Sequence, residues 1–248
     1  MLEKDKFNIR NFSEARLDIL QHPIYQAGSL DGIVSTEVRK RDWGYEPSLH
    51  LSSTSTNIAQ IWHELANYQG SMSRNNTEWN VYNLDSIQAL FKDPIPLLML
   101  LRKEEVIRFL QVIASIKIIN NGQLNSRQLA EFKYYLDYYL RFKDCNYNIG
   151  PIDLISPLYL AGLFEMSPKG TIRFESPVNF NSRGRMIIQI ATPQLFFAEY
   201  MQKVYGGGSF VIKPNSSYLW KVTGTKADAF LQSILLPNSA WGETVLMH

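Results

Sequence analysis

The sequence predicts an α+β chain made of two copies of one pattern, each read as helix, strand, strand, helix, strand, strand, helix. Three observations carry this reading. An aromatic residue and one variable residue precede an Ala-Gly pair that is followed three residues on by an acid, in Tyr25…Ala27-Gly28…Asp31 and again in Tyr159…Ala161-Gly162…Glu165. An amphipathic run, Asn57 to Tyr68, ends at Gly70-Ser71, and its counterpart, Pro193 to Tyr205, ends at Gly206-Gly207-Gly208-Ser209. A strand-like segment with Trp-x-Val then follows in each copy, as Trp79-Asn80-Val81 and Trp220-Lys221-Val222. The offsets (159 − 25 = 134, 205 − 68 = 137, 220 − 79 = 141) drift by a few residues, as loop insertions between equivalent elements would give.

Taken in order, the first copy reads as helix 14–31, strands 33–41 and 47–55, helix 57–69, a strand pair within 71–83, and helix 84–91. Residues 95–118 are rich in Leu and Ile at three-and-four spacing and read as helix, broken by Asn120-Asn121-Gly122. Helix resumes over 126–142 with Leu129, Phe132, Tyr135, Leu136, Tyr139 and Leu140 on one face. Residues 146–150 read as a linker. The second copy reads as helix 153–165, strands 169–178 and 185–192, helix 193–205, strands 209–214 and 217–223, and helix 225–236. The run 185–191 is apolar and β-branched, as a buried strand requires. Pro193 suits a helix start because its missing N–H costs nothing there, glycines 206–208 permit positive φ at a helix end, and Asn215-Ser216 after Pro214 reads as a hairpin turn. Two units follow, 1–145 with a helical extension and 151–248.

Composition bounds the function. At 248 residues with 45% hydrophobic and 19% charged, the chain can bury a core and is not a disordered segment. The single cysteine, Cys145, excludes an internal disulfide and a multi-cysteine zinc site. No His is near it in sequence and no triad pattern appears, so it reads as passive. The four histidines, His22, His50, His63 and His248, lack metal-ligand spacing. The longest apolar stretch, Pro94 to Leu101, is far short of the roughly 20 residues of a membrane span. The start carries Glu3, Asp5, Glu14 and Asp18, unlike a transit peptide or a secretory leader.

The modest net charge of +2 conceals a polarised chain. From Lys169 to Lys226 there are eight cations against Glu175 and Glu199, a balance of +6, which leaves −4 for the rest. Candidate phosphate contacts are Lys169, Arg173, Arg183, Arg185, Lys213 and Lys221 in the second copy, and Arg39 and Arg41 on one strand face of the first.

The second-copy segment Leu160-Ala161-Gly162-Leu163-Phe164-Glu165 resembles the opening of the LAGLIDADG motif of homing endonucleases and maturases. The likeness extends through Tyr205-Gly206-Gly207-Gly208-Ser209 and Tyr218-Leu219-Trp220-Lys221-Val222 to Ala229-Phe230-Leu231. The first copy keeps the small pair and the acid in Ala27-Gly28-Ser29-Leu30-Asp31-Gly32. The resemblance implies two pseudo-symmetric αββαββα repeats, with the two motif helices paired at the centre through Ala27, Gly28, Ala161 and Gly162. It further implies two antiparallel sheets forming a saddle for nucleic acid. Small residues at the pairing positions agree with a close approach of two helix backbones.

In active members of that family the eighth motif residue is a metal-binding acid. Here the eighth positions are Ile33 and Ser167, which carry no carboxylate, so the sequence reading is of a chain with no catalytic residue, no metal and no cofactor, and of no enzyme. Asp31 and Glu165 lie two residues earlier, about 200° round a helix, and read as local structural partners. The expected function is nucleic-acid binding, with RNA favoured over duplex DNA. The expected setting is an organellar ribonucleoprotein such as the mitochondrial ribosome, beside neighbouring proteins. An active homing endonuclease or group I intron maturase is the alternative, and a protein-binding scaffold the second alternative. Trp43, Tyr45, Tyr134, Tyr135, Tyr138 and Tyr139 are candidates for stacking on bases or filling an interface.

Overall fold

The computed structural model describes residues 14–42, 44–52, 63, 70–74, 77–120, 125–143, 154–167, 170–175, 184–192, 194–206, 211–212 and 218–240. The chain opens with α1 (Glu14–Gln21) and α2 (Pro23–Ile33), where a single helix was expected over 14–31. Pro23 explains the break: it lacks an N–H to continue α1, and His22 becomes a new cap, its Nδ1 accepting from the Ile24 N–H at 3.2 Å.

The strands β1 (Val34–Arg41), β2 (Gly44–Ser52), β3 (Ser71–Met72) and β4 (Glu78–Val81) form a first antiparallel sheet of order β1-β2-β4-β3. His63 is helical; the remainder of the expected helix 57–69 lies outside the described residues. Alternation sorts the side chains by face. Val34, Thr36, Leu49, Leu51, Trp79 and Val81 are buried on the helix side. Their neighbours Glu37, Arg39, Glu46, His50 and Asn80 take the other side.

Three helices follow: α3 (Leu84–Leu90), the short α4 (Ile95–Leu98) and α5 (Lys103–Asn120). Residues 95–118 were expected as one helix. The interruption at 99–102 has a polar cause, because the N–H groups of Leu100, Leu101 and Arg102 leave the helical ladder to bond Asp31. Helix α6 (Ser126–Phe142) starts at a reciprocal cap in which Asn125 and Gln128 each accept from the other's backbone N–H. It packs on α5 through Phe132 and Tyr139, while Leu129 and Leu140, expected on the packed face, are exposed.

The second half repeats the first. Helix α7 (Pro157–Met166) leads into β5 (Gly170–Glu175) and β6 (Arg185–Thr192), then α8 (Leu195–Tyr205), β7 (Val211–Ile212), β8 (Tyr218–Thr223) and α9 (Thr225–Phe230), which runs on as a π-helical turn Leu231–Leu235 and a 3-10 turn Leu236–Asn238. The sheet order is β5-β6-β8-β7, the same as in the first sheet. Trp79 and Trp220, both fully buried, occupy equivalent places on the helix faces of the two sheets. The expected turn at Asn215-Ser216, the linker at 146–150 and Cys145 lie outside the described residues.

The two halves meet along α2 and α7, and a continuous apolar core runs from Leu20 to Ala240 through both. No described helix is long and apolar enough to cross a membrane.

Candidate nucleic-acid interface

The centre of the molecule is the α2–α7 pair. A Cβ added to Gly28 would overlap the backbone carbonyl of Tyr159, and one added to Gly162 would overlap the carbonyl of Tyr25. Each glycine thus receives the other helix's backbone at the residue three before the partner glycine. Ala27 and Ala161 beside them are fully buried. Lower down the pair, a Cβ on Gly32 would lie 2.9 Å from the Ser167 Cβ.

The sixth motif residues complete the junction crosswise. Tyr159 donates its hydroxyl to Asp31 Oδ2 at 2.6 Å, and Tyr25 donates its hydroxyl to Glu165. Each acid also secures a turn of its own half. Asp31 accepts from the N–H groups of Leu100, Leu101 and Arg102 at 2.6, 3.0 and 2.8 Å. Glu165 accepts from the Ser239 hydroxyl and from the Ala240 N–H. Burial raises the Asp31 pKa, and the hydrogen bonds from Tyr159 and the three N–H groups hold back part of that rise. Burial, with the Asp31 charge beside it, pushes the Tyr159 phenol well above its ordinary value. Local satisfaction was expected of these acids; the structure adds that each also reaches across to the other motif helix. The signal was in the repeat itself, since Tyr25 and Tyr159 share the 134-residue offset of the two acids.

Of the degenerate positions, Ile33 is 4% exposed and packed in the core, and Ser167 is 5% exposed and closes α7 with its N–H on the Leu163 carbonyl. Among the described residues, no group of three or more His, Cys, Asp or Glu side chains is arranged to hold a metal ion. A small crevice, with room for about one water molecule, lies at this end of the helices and is lined by Asp31, Gly32, Arg102, Ser167 and Ala191, among others. Arg102 is held there from both ends. Its N–H bonds Asp31, and its guanidinium donates to Glu105 at 2.9 Å. Glu105 is buried and accepts from the Thr36 hydroxyl at 2.5 Å, with Tyr139 a further 3.0 Å from that hydroxyl. This cluster fixes β1, α5 and α6 to the crevice, and the sequence reading had missed both Arg102 and Glu105.

The expected phosphate contacts fall into three groups. Arg173 and Arg185 are exposed on β5 and β6, and Lys221 is half-buried on β8; register places all three on one face of the second sheet. Arg39 and Arg41 are exposed on the first sheet, but each is tied to a carboxylate on the same face, Arg39 to Glu37 at 2.7 Å and Arg41 to Glu46 at 2.6 Å. Lys169, Arg183 and Lys213 lie outside the described residues, as does Trp43. Of the candidate aromatics, Tyr139 is core and Tyr45 packs edge-on against Phe132. Tyr134 is 61% exposed and stacks on Tyr138, whose ring also carries the Arg108 guanidinium 4.6 Å from its centroid.

This geometry matches solved structures. The LAGLIDADG homing endonuclease I-GzeII in complex with its DNA target superposes with a TM-score of 0.64 at 12% identity, covering 88% of this chain and 82% of that one. I-SmaMI bound to an uncleaved DNA target in the presence of calcium ions superposes with a TM-score of 0.61 at 14% identity, covering 88% and 83%. The LAGLIDADG meganuclease I-AabMI bound to uncleaved DNA gives 0.57 at 13% identity, covering 81% and 78%. No protein-family model and no curated protein matches the chain.

These neighbours correct the expectation that the chain is no enzyme. The solved proteins that share this architecture include a homing endonuclease and a meganuclease, so two missing motif acids are no ground for reading this chain as no enzyme. Counting motif positions tested only Ile33 and Ser167, whereas phosphodiester hydrolysis needs oxygen ligands and positive charge converging on one phosphate. Residues far apart in sequence, such as Arg102 and Ser167, line one crevice in the fold, and a motif count cannot see such neighbours. Paired glycine-bearing helices, crosswise tyrosine–acid bonds and two sheets of identical order together make this the two-domain fold of the LAGLIDADG homing endonucleases.

Proposed function

We propose that this chain binds nucleic acid across its two sheets, with the affinity drawn from the cationic face of the second. The observation that carries this reading is the placement of Arg173, Arg185 and Lys221 on one face of an antiparallel sheet, in a fold whose solved examples hold DNA. Cations spaced along strands suit phosphates, which contribute affinity and salt dependence and little sequence information.

The partner we propose is RNA, within an organellar ribonucleoprotein such as the mitochondrial ribosome, where neighbouring proteins complete the surface. The exposed Tyr134, stacked on Tyr138 along one face of α6, supports this choice, because exposed aromatics stack on unpaired bases that a duplex does not offer. A DNA-cleaving endonuclease or an intron maturase is the second reading, favoured by the activity of the structural neighbours.

Titration of labelled RNA and labelled duplex DNA at several salt concentrations tests the first reading, and incubation of the duplex with Mg²⁺ tests the second. Binding that weakens steeply with salt and collapses when Arg185 and Lys221 are both reversed to Glu is the expected result. Tight association that salt and charge reversal leave unchanged would sink it in favour of a protein-filled saddle.

A further inference from the structure

Charge is polarised a second time, in the helical extension. From Arg102 to Lys143 there are eight cations against four acids, a balance of +4, so that with the +6 of residues 169–226 the remaining chain carries −8. Part of this positive charge lies on the outer face of α6. At about 100° per residue, Arg127, Tyr134, Tyr138 and Arg141 fall within about 60° of arc and run about 21 Å along the helix. Phe132 and Tyr139, the buried residues of α6, lie about 100° or more away from them. The extension packs on the helix side of the first sheet, where Glu105 and Tyr139 meet the Thr36 hydroxyl, so this strip faces away from that sheet.

The rings of the strip are set for stacking. Tyr134 and Tyr138 lie 13° from parallel, with centroids 5.7 Å apart. Tyr138 is fixed by Phe142, 5.0 Å between centroids, and by the Arg108 guanidinium 4.6 Å from its ring. Arg108 is itself held by Glu104 and Gln111 at 3.3 and 3.2 Å. Tyr134, with Tyr135 edge-on beside it, is 61% exposed. A ring already ordered by its neighbours loses little freedom on binding, and any base can stack on it. Arg127 is exposed and forms no ion pair among the described residues. At the other end Arg141 neutralises Asp137 at 2.6 Å, and Glu131 stands at the margin of the strip. A duplex hides the faces of its bases, and a protein partner favours an interface centre depleted of charge. Folded RNA offers unpaired bases in loops with phosphates beside them, which matches rings flanked by cations.

We propose that the outer face of α6 is a second RNA site, separate from the sheets, where an unpaired base stacks on Tyr134 and Arg127 meets a phosphate further along the strand. This rests on the RNA reading above and divides the ligand: paired segments lie on the sheets, and loops lie on α6. The two surfaces can therefore be filled together.

The test measures anisotropy of the full chain with a labelled oligouridylate, which forms no duplex, and with a labelled blunt RNA duplex. Tyr134→Ala should weaken oligouridylate binding roughly ten-fold, while Tyr134→Phe, which keeps the ring, should bind as the unaltered chain does. Arg127→Gln should reduce the log–log salt slope for oligouridylate by about 0.7. None of the three should alter duplex affinity. Arg185→Glu with Lys221→Glu should reverse the pattern, and saturating unlabelled duplex should leave the labelled oligouridylate bound. Displacement by the duplex would overturn the separate site, as would an Ala variant of undiminished affinity or a Phe variant as weak as the Ala. Self-association that Tyr134→Ala abolishes, in a chain that ignores oligouridylate, would give this face to a second copy and overturn the site as well. Tyr134-dependent oligouridylate binding without duplex binding would bring down the reading of the sheets and leave this site standing. Tyr134 and Arg127 are both exposed, and circular dichroism of each variant checks that the fold is kept.

Discussion

Tyr159 and Asp31 share a 2.6 Å hydrogen bond that crosses from one central helix to the other. Its counterpart joins Tyr25 to Glu165 in the reverse direction. Because each acid also binds a turn of its own half, the junction and the two ends of the fold are one hydrogen-bonded system. Neither central helix satisfies its buried acid alone.

Asp31→Ala should therefore be among the most damaging single substitutions. It removes the acceptor of three backbone N–H groups and one phenol, and an orphaned buried donor costs about 1–3 kcal/mol. A loss of at least about 3 kcal/mol in urea unfolding is expected. Tyr159→Phe removes one charge-assisted bond and leaves the three N–H bonds, so a loss of about 1.5–3 kcal/mol is expected. A Phe variant as damaged as the Ala variant would show that the N–H bonds contribute little.

Gly28→Ala and Gly162→Ala should each destabilise by about 1–3 kcal/mol or more, despite alanine's better helix propensity. The added methyl would meet a backbone carbonyl of the partner helix, and a main chain cannot swing aside as a side chain tip can. Gly44, whose added Cβ would meet nothing within 4 Å, supplies the contrast, with strain at φ +142° and no clash. Thermal unfolding that ranks Gly28→Ala as neutral would mean the helices separate more readily than the packing indicates.

Much of this architecture was legible in the sequence, and the limits have physical causes. The repeat showed through because buried positions constrain residue type, so Ala-Gly, the acid and Trp-x-Val recur at nearly constant offset. Helix breaks were missed where their cause is distant. Nothing local in residues 95–118 announces that Asp31, some seventy residues earlier, takes three of its N–H groups. Surface charge misled for a similar reason. Arg41 read as a phosphate contact until the hairpin brings Glu46 to it, a contact set by register and not by composition, while Arg39 is tied to Glu37 two residues away on its own strand face. The reading of no catalysis failed because it weighed two motif positions in isolation from the fold around them.

Acid should act on two carboxylates in opposite senses. Glu37 has its pKa lowered, chiefly by the hydrogen bond from Arg39. Its contribution to stability is therefore present above its unfolded pKa of about 4.3 and is lost as pH falls through the lower folded value. Asp31 has its pKa raised, chiefly by burial. Its charge is costly to the folded state, so that cost is absent below the unfolded pKa of about 3.9 and grows as pH rises through the higher folded value. Urea midpoints measured from pH 7 downward should show a shallower acid loss in Glu37→Gln than in the unaltered chain. An identical acid limb in the two would remove Glu37 from the account.

The Arg102–Glu105 pair yields the last prediction, because it ties the helical extension to the motif helix through a single residue. Glu105 is 3% exposed and receives both the Arg102 guanidinium and the Thr36 hydroxyl. Removing one member of a buried pair leaves the other charge uncompensated, so Glu105→Ala should cost about 3–5 kcal/mol. Glu105→Gln, which keeps an acceptor for Thr36, should cost less. Arg102 also donates its N–H to Asp31, so a shift of its side chain is transmitted to the acid at the helix junction. A double-mutant cycle between Asp31→Asn and Glu105→Gln should accordingly show coupling of about 0.5–3 kcal/mol, although the two carboxylates make no direct hydrogen bond. Strict additivity would mean that residue 102 serves the two partners independently, with its backbone fixed by α5 and its side chain adjusting without strain.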